Sequence, residues 1–185
     1  GGDFEQRDEV TMDGKQVFHK PISQVRRAMR DKGLHALLVY EGGRHNFLRM
    51  NYVAYLTDFI SVGPETMVVL PLEDTPTLYL SPPWDIPRAQ EESWIADVQP
   101  FKEFWSRLSG LSGKVGVIGR EAMHVDLHDE ITKALKQAPA NAKDIIENMA
   151  RCKSEFELER LRRAAEIADA GVTALHEEAR VGLKE

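Results

Sequence analysis

The most regular pattern of apolar and polar positions lies late in the chain, where Leu158, Leu161, Ala165, Ala168, Val172, Leu175 and Ala179 recur at alternating steps of three and four. That spacing puts one apolar stripe along a helix. Ser154 and Glu157 stand just before it as an S-x-x-E capping box, in which the hydroxyl takes the amide proton at Glu157 and the carboxylate reaches back to the amide of Ser154. The spacing therefore predicts a helix from Ser154 to about Arg180, with Glu159 and Arg163 as an i,i+4 pair on its polar side.

Upstream, the pattern changes every ten residues or so. Residues 1–14 are polar and aperiodic and read as an arm with little order. After Pro21, Ile22, Val25 and Met29 describe an amphipathic helix that stops at Lys32-Gly33, and His35 to Tyr40 is a short apolar run of the kind found in buried strands. Arg44 to Tyr52 fits neither a helical nor a strand period. Thr66–Leu70 and Thr77–Leu80 read as a hairpin flanked by Pro71 and Pro76. Ser81 to Trp84 is a loop, Asp85–Glu92 a short helix with Pro87 in its first turn, Ala96–Val98 a strand and Phe101–Leu108 a helix. Lys114–Gly119 is a further buried strand. His124–Gln137, with Leu127, Ile131, Ala134 and Leu135 on one side, is a helix, and Asp144–Ile146 closes the set as an edge strand. Strands alternating with helices, plus one hairpin, give an α/β fold: a mixed β-sheet flanked by helices, followed by a long C-terminal helix.

Composition narrows the function. A chain of 185 residues with 42% hydrophobic and 29% charged residues is that of an ordinary globular protein. A net charge of -6 without any basic block argues against nucleic-acid binding, which needs a positive face for the phosphates. Ala36 to Tyr40, the longest apolar run, is too short to span a bilayer, and the acidic start is unlike a signal peptide, so no membrane partner and a cytoplasmic location are expected. Cys152 is the only cysteine, which leaves no internal disulfide and no thiolate cluster. The lack of an initiator Met suggests a trimmed start.

The stretch around the late helix reads Lys153, Ser154, Glu157, Leu161, Arg162, Ala164, Ala165, Ile167, Ala168, Asp169, Ala170, Gly171. It resembles the linker and first catalytic-domain helix of the creatinase, prolidase and aminopeptidase P family, metallo-hydrolases with a pita-bread catalytic fold. A second resemblance is Asn51-Tyr52-Val53-Ala54-Tyr55-Leu56-Thr57-Asp58-Phe59, which is similar to the family's N-[IV]-x-Y-L-[ST]-G-[FW] signature. It departs from it by one extra residue after Asn51 and by Asp58 in place of Gly; Asp tolerates the left-handed backbone better than most residues.

The resemblance implies three segments: the arm 1–14, an N-terminal RNase H-like α/β domain over 15–150, and a linker with the first helix of a truncated catalytic domain over 151–185. It further implies a homodimer in which the loop after the signature reaches the partner's active site. Arg44, His45, Tyr55, Asp58 and Phe59 are then candidates for the substrate pocket, although Tyr55 and Phe59 also suit a core and Asp58 a turn. Trp84 after its two prolines, with Leu158, Leu161, Val172 and Leu175 on the late helix, are interface candidates. The family's two divalent metal ions (Mn, Co or Zn) and their ligands belong to the part that would follow Glu185, so no cofactor and no catalytic or metal-ligating residue is expected in this chain.

Local motifs offer no rival chemistry. His124 and His128 stand i,i+4 on a predicted helix, but Val125 occupies the place where a zincin motif needs Glu, and no third ligand is identifiable. Gly113, Gly116 and Gly119 fall within a strand, not in the strand-to-helix turn that cradles a dinucleotide. There is no G-x-S-x-G elbow, and Cys152 lacks an evident histidine partner. What the resemblance implies is the non-catalytic N-terminal domain of a Xaa-Pro dipeptidase or aminopeptidase P-like enzyme, acting on a peptide substrate. The alternatives are a creatinase-type amidinohydrolase with a small amidino substrate, and a peptidase-like protein-binding module without catalysis.

Overall fold

The structure, a computed structural model, describes residues 9–12, 15–18, 22–43, 49–180 and 182. The chain divides into two compact units, 1–146 and 147–185. In the first, β1 (Glu9–Met12) and β2 (Lys15–Phe18) pair antiparallel, with Met12 opposite Lys15. A strand therefore stands within the segment expected as an arm; Asp13-Gly14 is the kind of dipeptide that two-residue hairpins favour, a signal that outweighs the polar pattern.

Helix α1 (Ile22–Asp31) buries Val25 and Met29 and ends before Gly33, whose φ of +64° suits a residue without a Cβ. β3 (Ala36–Glu41) is buried along its whole length. α2 (Tyr52–Thr57) follows, within the signature segment and just past the stretch that fits neither period; Asn51 caps it by accepting the amide of Ala54 at 2.7 Å. β4 (Glu65–Pro71) and β5 (Thr77–Ser81) form the expected hairpin. A 3-10 turn at Pro83–Asp85 leads into α3 (Ile86–Glu92), then come β6 (Asp97–Pro100), a second 3-10 turn at Phe101–Glu103 and α4 (Phe104–Ser109). β7 (Val115–Ile118), α5 (Val125–Leu135) and β8 (Ala140–Asn141) complete the sheet.

The six strands are ordered β6-β5-β4-β3-β7-β8. β3 runs parallel to β7 and β7 to β8, while β4 is antiparallel to both β3 and β5, and β5 is parallel to β6. Five strands thus point one way and β4 points back. On one face Ala36, Leu38, Tyr40, Met67, Val69 and Tyr79 pack in one cluster with Phe104 and Leu108 of α4 and Leu127 and Ile131 of α5. Alternation sends Leu37, Val39 and Glu41 to the opposite face; there a Cβ on Gly116 would press on Leu34, Leu37 and Ala142, so that strand position is closed to side chains. The mixed sheet flanked by helices is the fold class expected.

The edge strand expected at Asp144–Ile146 is instead the start of α6 (Asp144–Arg151), and β8 is the edge strand. Ile145 and Ile146 are both buried, and two adjacent apolar residues do not separate a strand from a helix turn. The amide of Lys143 donates to Asn141 Oδ1 and that of Ile145 to the Ala142 carbonyl, which turns the chain into the helix straight after β8.

In the second unit, α7 (Glu155–Glu178) carries both halves of the capping box: the Glu157 amide donates to Ser154 Oγ at 3.3 Å, and the Ser154 amide to Glu157 Oε2 at 2.9 Å. Arg163 pairs with Glu166, 2.9 Å away. Among the described residues no helix is long and apolar enough to cross a membrane.

Candidate functional site

Because five strands share a direction, the ends of β3, β5, β6 and β7 and the start of β4 open on one edge of the sheet. Open α/β sheets receive ligands at such an edge. Glu41, the last residue of β3, is 4% exposed and accepts the Gly42 amide at 3.2 Å. Burial raises its carboxyl above the usual range; the Gly42 amide and Arg49 oppose the rise, and Glu121 adds to it. Tyr52 donates its hydroxyl to Glu121 Oε1 at 3.3 Å. Glu41, Arg49, Tyr52 and Glu121 meet around a crevice too tight for a water molecule. Close approach of backbone shapes the same edge: a Cβ on Gly119, whose φ is +82°, would collide with the Tyr40 carbonyl, and one on Gly63 with the Ser81 carbonyl.

The second part of the edge is the loop after α2. Asp58 has a left-handed backbone (φ 61°) and donates its amide to the Ala54 carbonyl, closing the helix. Phe59 is fully buried, and the Arg88 guanidinium lies 4.5 Å above its ring centroid. Arg88 also forks onto Asp85, with Nε and Nη2 each 2.8 Å from a carboxylate oxygen, and donates to the Ile60 carbonyl and to Glu92. Asp85, 1% exposed, accepts the Val62 amide at 3.4 Å and holds the guanidinium charged, above its ordinary pKa. The loop is thus braced from beneath, while Ile60, Val62 and, after the cis Ser81-Pro82 bond, Trp84 are exposed.

A third feature lies at the same edge on the α4/α5 face. A groove of about 410 Å³ is lined by the aromatic rings of Phe101 and Trp105, by Leu127, and by Glu65, His124, Asp126 and Glu130. Burial, aided by the charges of Glu65 and Glu41, pushes the Tyr40 phenol up to about 12.

Of the residues singled out in the sequence, Arg44 and His45 lie outside those described. Tyr55 is half-buried on α2, Asp58 is an exposed turn residue, and Phe59 serves the core. Trp84, at 69%, is exposed; so are Leu161, Val172 and Leu175 on α7, and Leu158 is half-exposed. His124 is exposed ahead of α5, and His128 turns Nδ1 to Asp129 at 3.6 Å. Among the described residues no three of His, Cys, Asp and Glu come together as metal ligands, so these residues do not fit a metal centre. Sequence reasoning passed over Glu41, Glu121, Asp85 and Arg88. A carboxylate followed by Gly42-Gly43 at the end of a buried strand was the available signal for the first; pairing across the fold left none for the others.

The family model described as Creatinase/Prolidase N-terminal domain matches residues 21–152. Comparison with curated proteins yields no match. Among solved structures, the prolidase from Pyrococcus horikoshii OT3 is similar at 26% identity and TM-score 0.70, covering 89% of this chain and 44% of that one. The X-Pro aminopeptidase from Thermotoga maritima MSB8 is similar in fold at 19% identity and TM-score 0.70, covering 87% and 44%. A proline dipeptidase from Streptococcus pneumoniae TIGR4 shares the fold at 16% identity and TM-score 0.58, covering 72% and 98%. The chain thus spans less than half the length of the first two. With the family model matched over most of its length and the six-stranded mixed sheet in place, the chain belongs to the creatinase/prolidase N-terminal domain family.

Proposed function

We propose that this chain is the non-catalytic N-terminal domain of a Xaa-Pro dipeptidase or aminopeptidase P-like metallo-hydrolase, where it supports dimerisation and shapes access of substrate. The likeness to the Pyrococcus horikoshii prolidase, 26% identical over 89% of this chain, carries the reading. The braced loop fits the role. On this reading exposed Asp58 and half-buried Tyr55 contribute to a substrate wall, and the exposure of Ile60, Val62 and Trp84 supports a contact with a second subunit. Catalytic metal ions belong, on this reading, to another part of the protein.

The test is a protein extended by the residues encoded after Glu185, assayed with manganese on Xaa-Pro dipeptides and on creatine. Cleavage of the dipeptides is the expected result; creatine hydrolysis in their place, or no hydrolysis by a folded protein, overturns it. In the active protein, Asp58→Ala should lower kcat/KM by roughly ten-fold, about 1.4 kcal/mol, with metal content intact. Unchanged kinetics would reduce the loop to scaffold.

A further inference from the structure

Exposure alternates along the loop after α2: Phe59, Ser61 and Gly63 are buried, while Asp58, Ile60 and Val62 are exposed. The loop's own bonds are short in range, for the Phe59 amide donates to Thr57 Oγ1 and the Gly63 amide to Ser61 Oγ, each across two residues. Such bonds shape a turn but do not fix where it stands on the protein. α3 and the turn before it supply that fix. The indole of Trp94, just past α3, donates to the Leu56 carbonyl at 2.7 Å. Arg88 covers the Phe59 ring and donates to the Ile60 carbonyl, and Asp85 accepts the Val62 amide. A carbonyl and an amide two residues apart are thus held by the two members of one ion pair. The pair is itself fixed by its two N–H···O contacts of 2.8 Å.

We infer that Asp85 and Arg88 are positioning residues: without touching substrate, they hold the outward side chain of Asp58, and with it Ile60 and Val62, in the place from which the loop acts on substrate. This rests on the function proposed above, in which that loop helps to shape access of substrate. A wall contributes by keeping substrate in reactive geometry, and a displacement of about 1 Å is enough to forfeit much of that contribution. Lysine at position 88 keeps the charge beside Asp85 but offers a point in place of a planar fork, so it cannot hold both the carboxylate and the Ile60 carbonyl in the same geometry.

The experiment is a double-mutant cycle in the protein extended by the residues encoded after Glu185, assayed with manganese on a Xaa-Pro dipeptide well below the melting temperature of each variant. Arg88→Lys should lower kcat/KM roughly five-fold with metal content intact, yet by less than about two-fold in an Asp58→Ala background, where the group it positions is gone. A merely structural residue would lower activity by the same factor in both backgrounds. In this chain, the backbone order parameters of Ile60 and Val62 should fall in Arg88→Lys from about 0.85 towards about 0.6, with those of β4 unchanged. Should Arg88→Lys fail to fold, Asp85→Asn, which keeps the shape of the side chain and withdraws its charge, takes its place in both arms. An extended protein that cleaves no Xaa-Pro dipeptide removes the proposed function and this inference together. Cleavage in which the two substitutions act independently, or order parameters that do not move, overturns the inference alone.

Discussion

Arg88 does more within the fold than its half-exposed position suggests. Its guanidinium neutralises buried Asp85, covers Phe59 and ties down the Ile60 carbonyl. Arg88→Ala would leave the Asp85 carboxylate buried without its cation, so a loss of about 3–5 kcal/mol in urea unfolding is expected. Arg88→Lys, which cannot fork onto both oxygens, should fall between the two. Glu41 acts in the opposite sense. Its folded pKa is raised, chiefly by burial, so the folded state holds its proton more tightly than the unfolded chain does. That contribution is fully present below the unfolded pKa near 4.5 and is lost as pH rises through the folded value. Glu41→Gln should therefore raise the unfolding midpoint at pH 7, and the gain should vanish below pH 4.5; a constant gain across pH would refute the account. Some of this was legible. The left-handed backbone of Asp58 follows from its place in the signature, whereas the Arg88–Asp85 fork depends on a loop arriving from 28 residues away at Ile60.

At the scale of elements, local signals predicted most helices and strands, and helix ends offer the sharpest tests. Lys136 closes α5 with a φ of 56°, a conformation that a Cβ disfavours. Lys136→Gly should add about 1 kcal/mol of stability, measured by thermal unfolding. Ser154→Ala removes one arm of the α7 capping box and should cost that helix about 1 kcal/mol, seen as faster hydrogen exchange at Glu157 and Leu158. Where the pattern was short it misled. Asp144–Ile146 carries only two apolar residues, and what decides for helix is the turn through Asn141 and Ala142. β8 has two residues and no periodicity to read; it exists because β7 offers it an edge. α2 is six residues long and owes its start to the Asn51 cap.

For the whole molecule, the outstanding surface feature is the exposed stripe of α7, with Leu161, Val172 and Leu175 at 54–69% exposure. A stripe of that kind invites self-association. Sedimentation of the chain should show concentration-dependent oligomers that Leu161→Gln, Val172→Gln and Leu175→Gln together abolish; an unchanged distribution would place the contact elsewhere.

The order of the sheet also sets a sequence of events in time. β3, β4, β5 and β6 are neighbours in space in the order in which they leave the ribosome, so each can pair with the strand made before it as residues 36–100 emerge. β7 must instead travel back past three strands to reach the free edge of β3, and β8 can be added only after it. The transition state for folding should therefore resemble the β3–β4–β5 meander with its far edge still bare. Val68→Ala would then slow folding, while Val117→Ala would chiefly speed unfolding, a division that stopped-flow chevrons resolve directly.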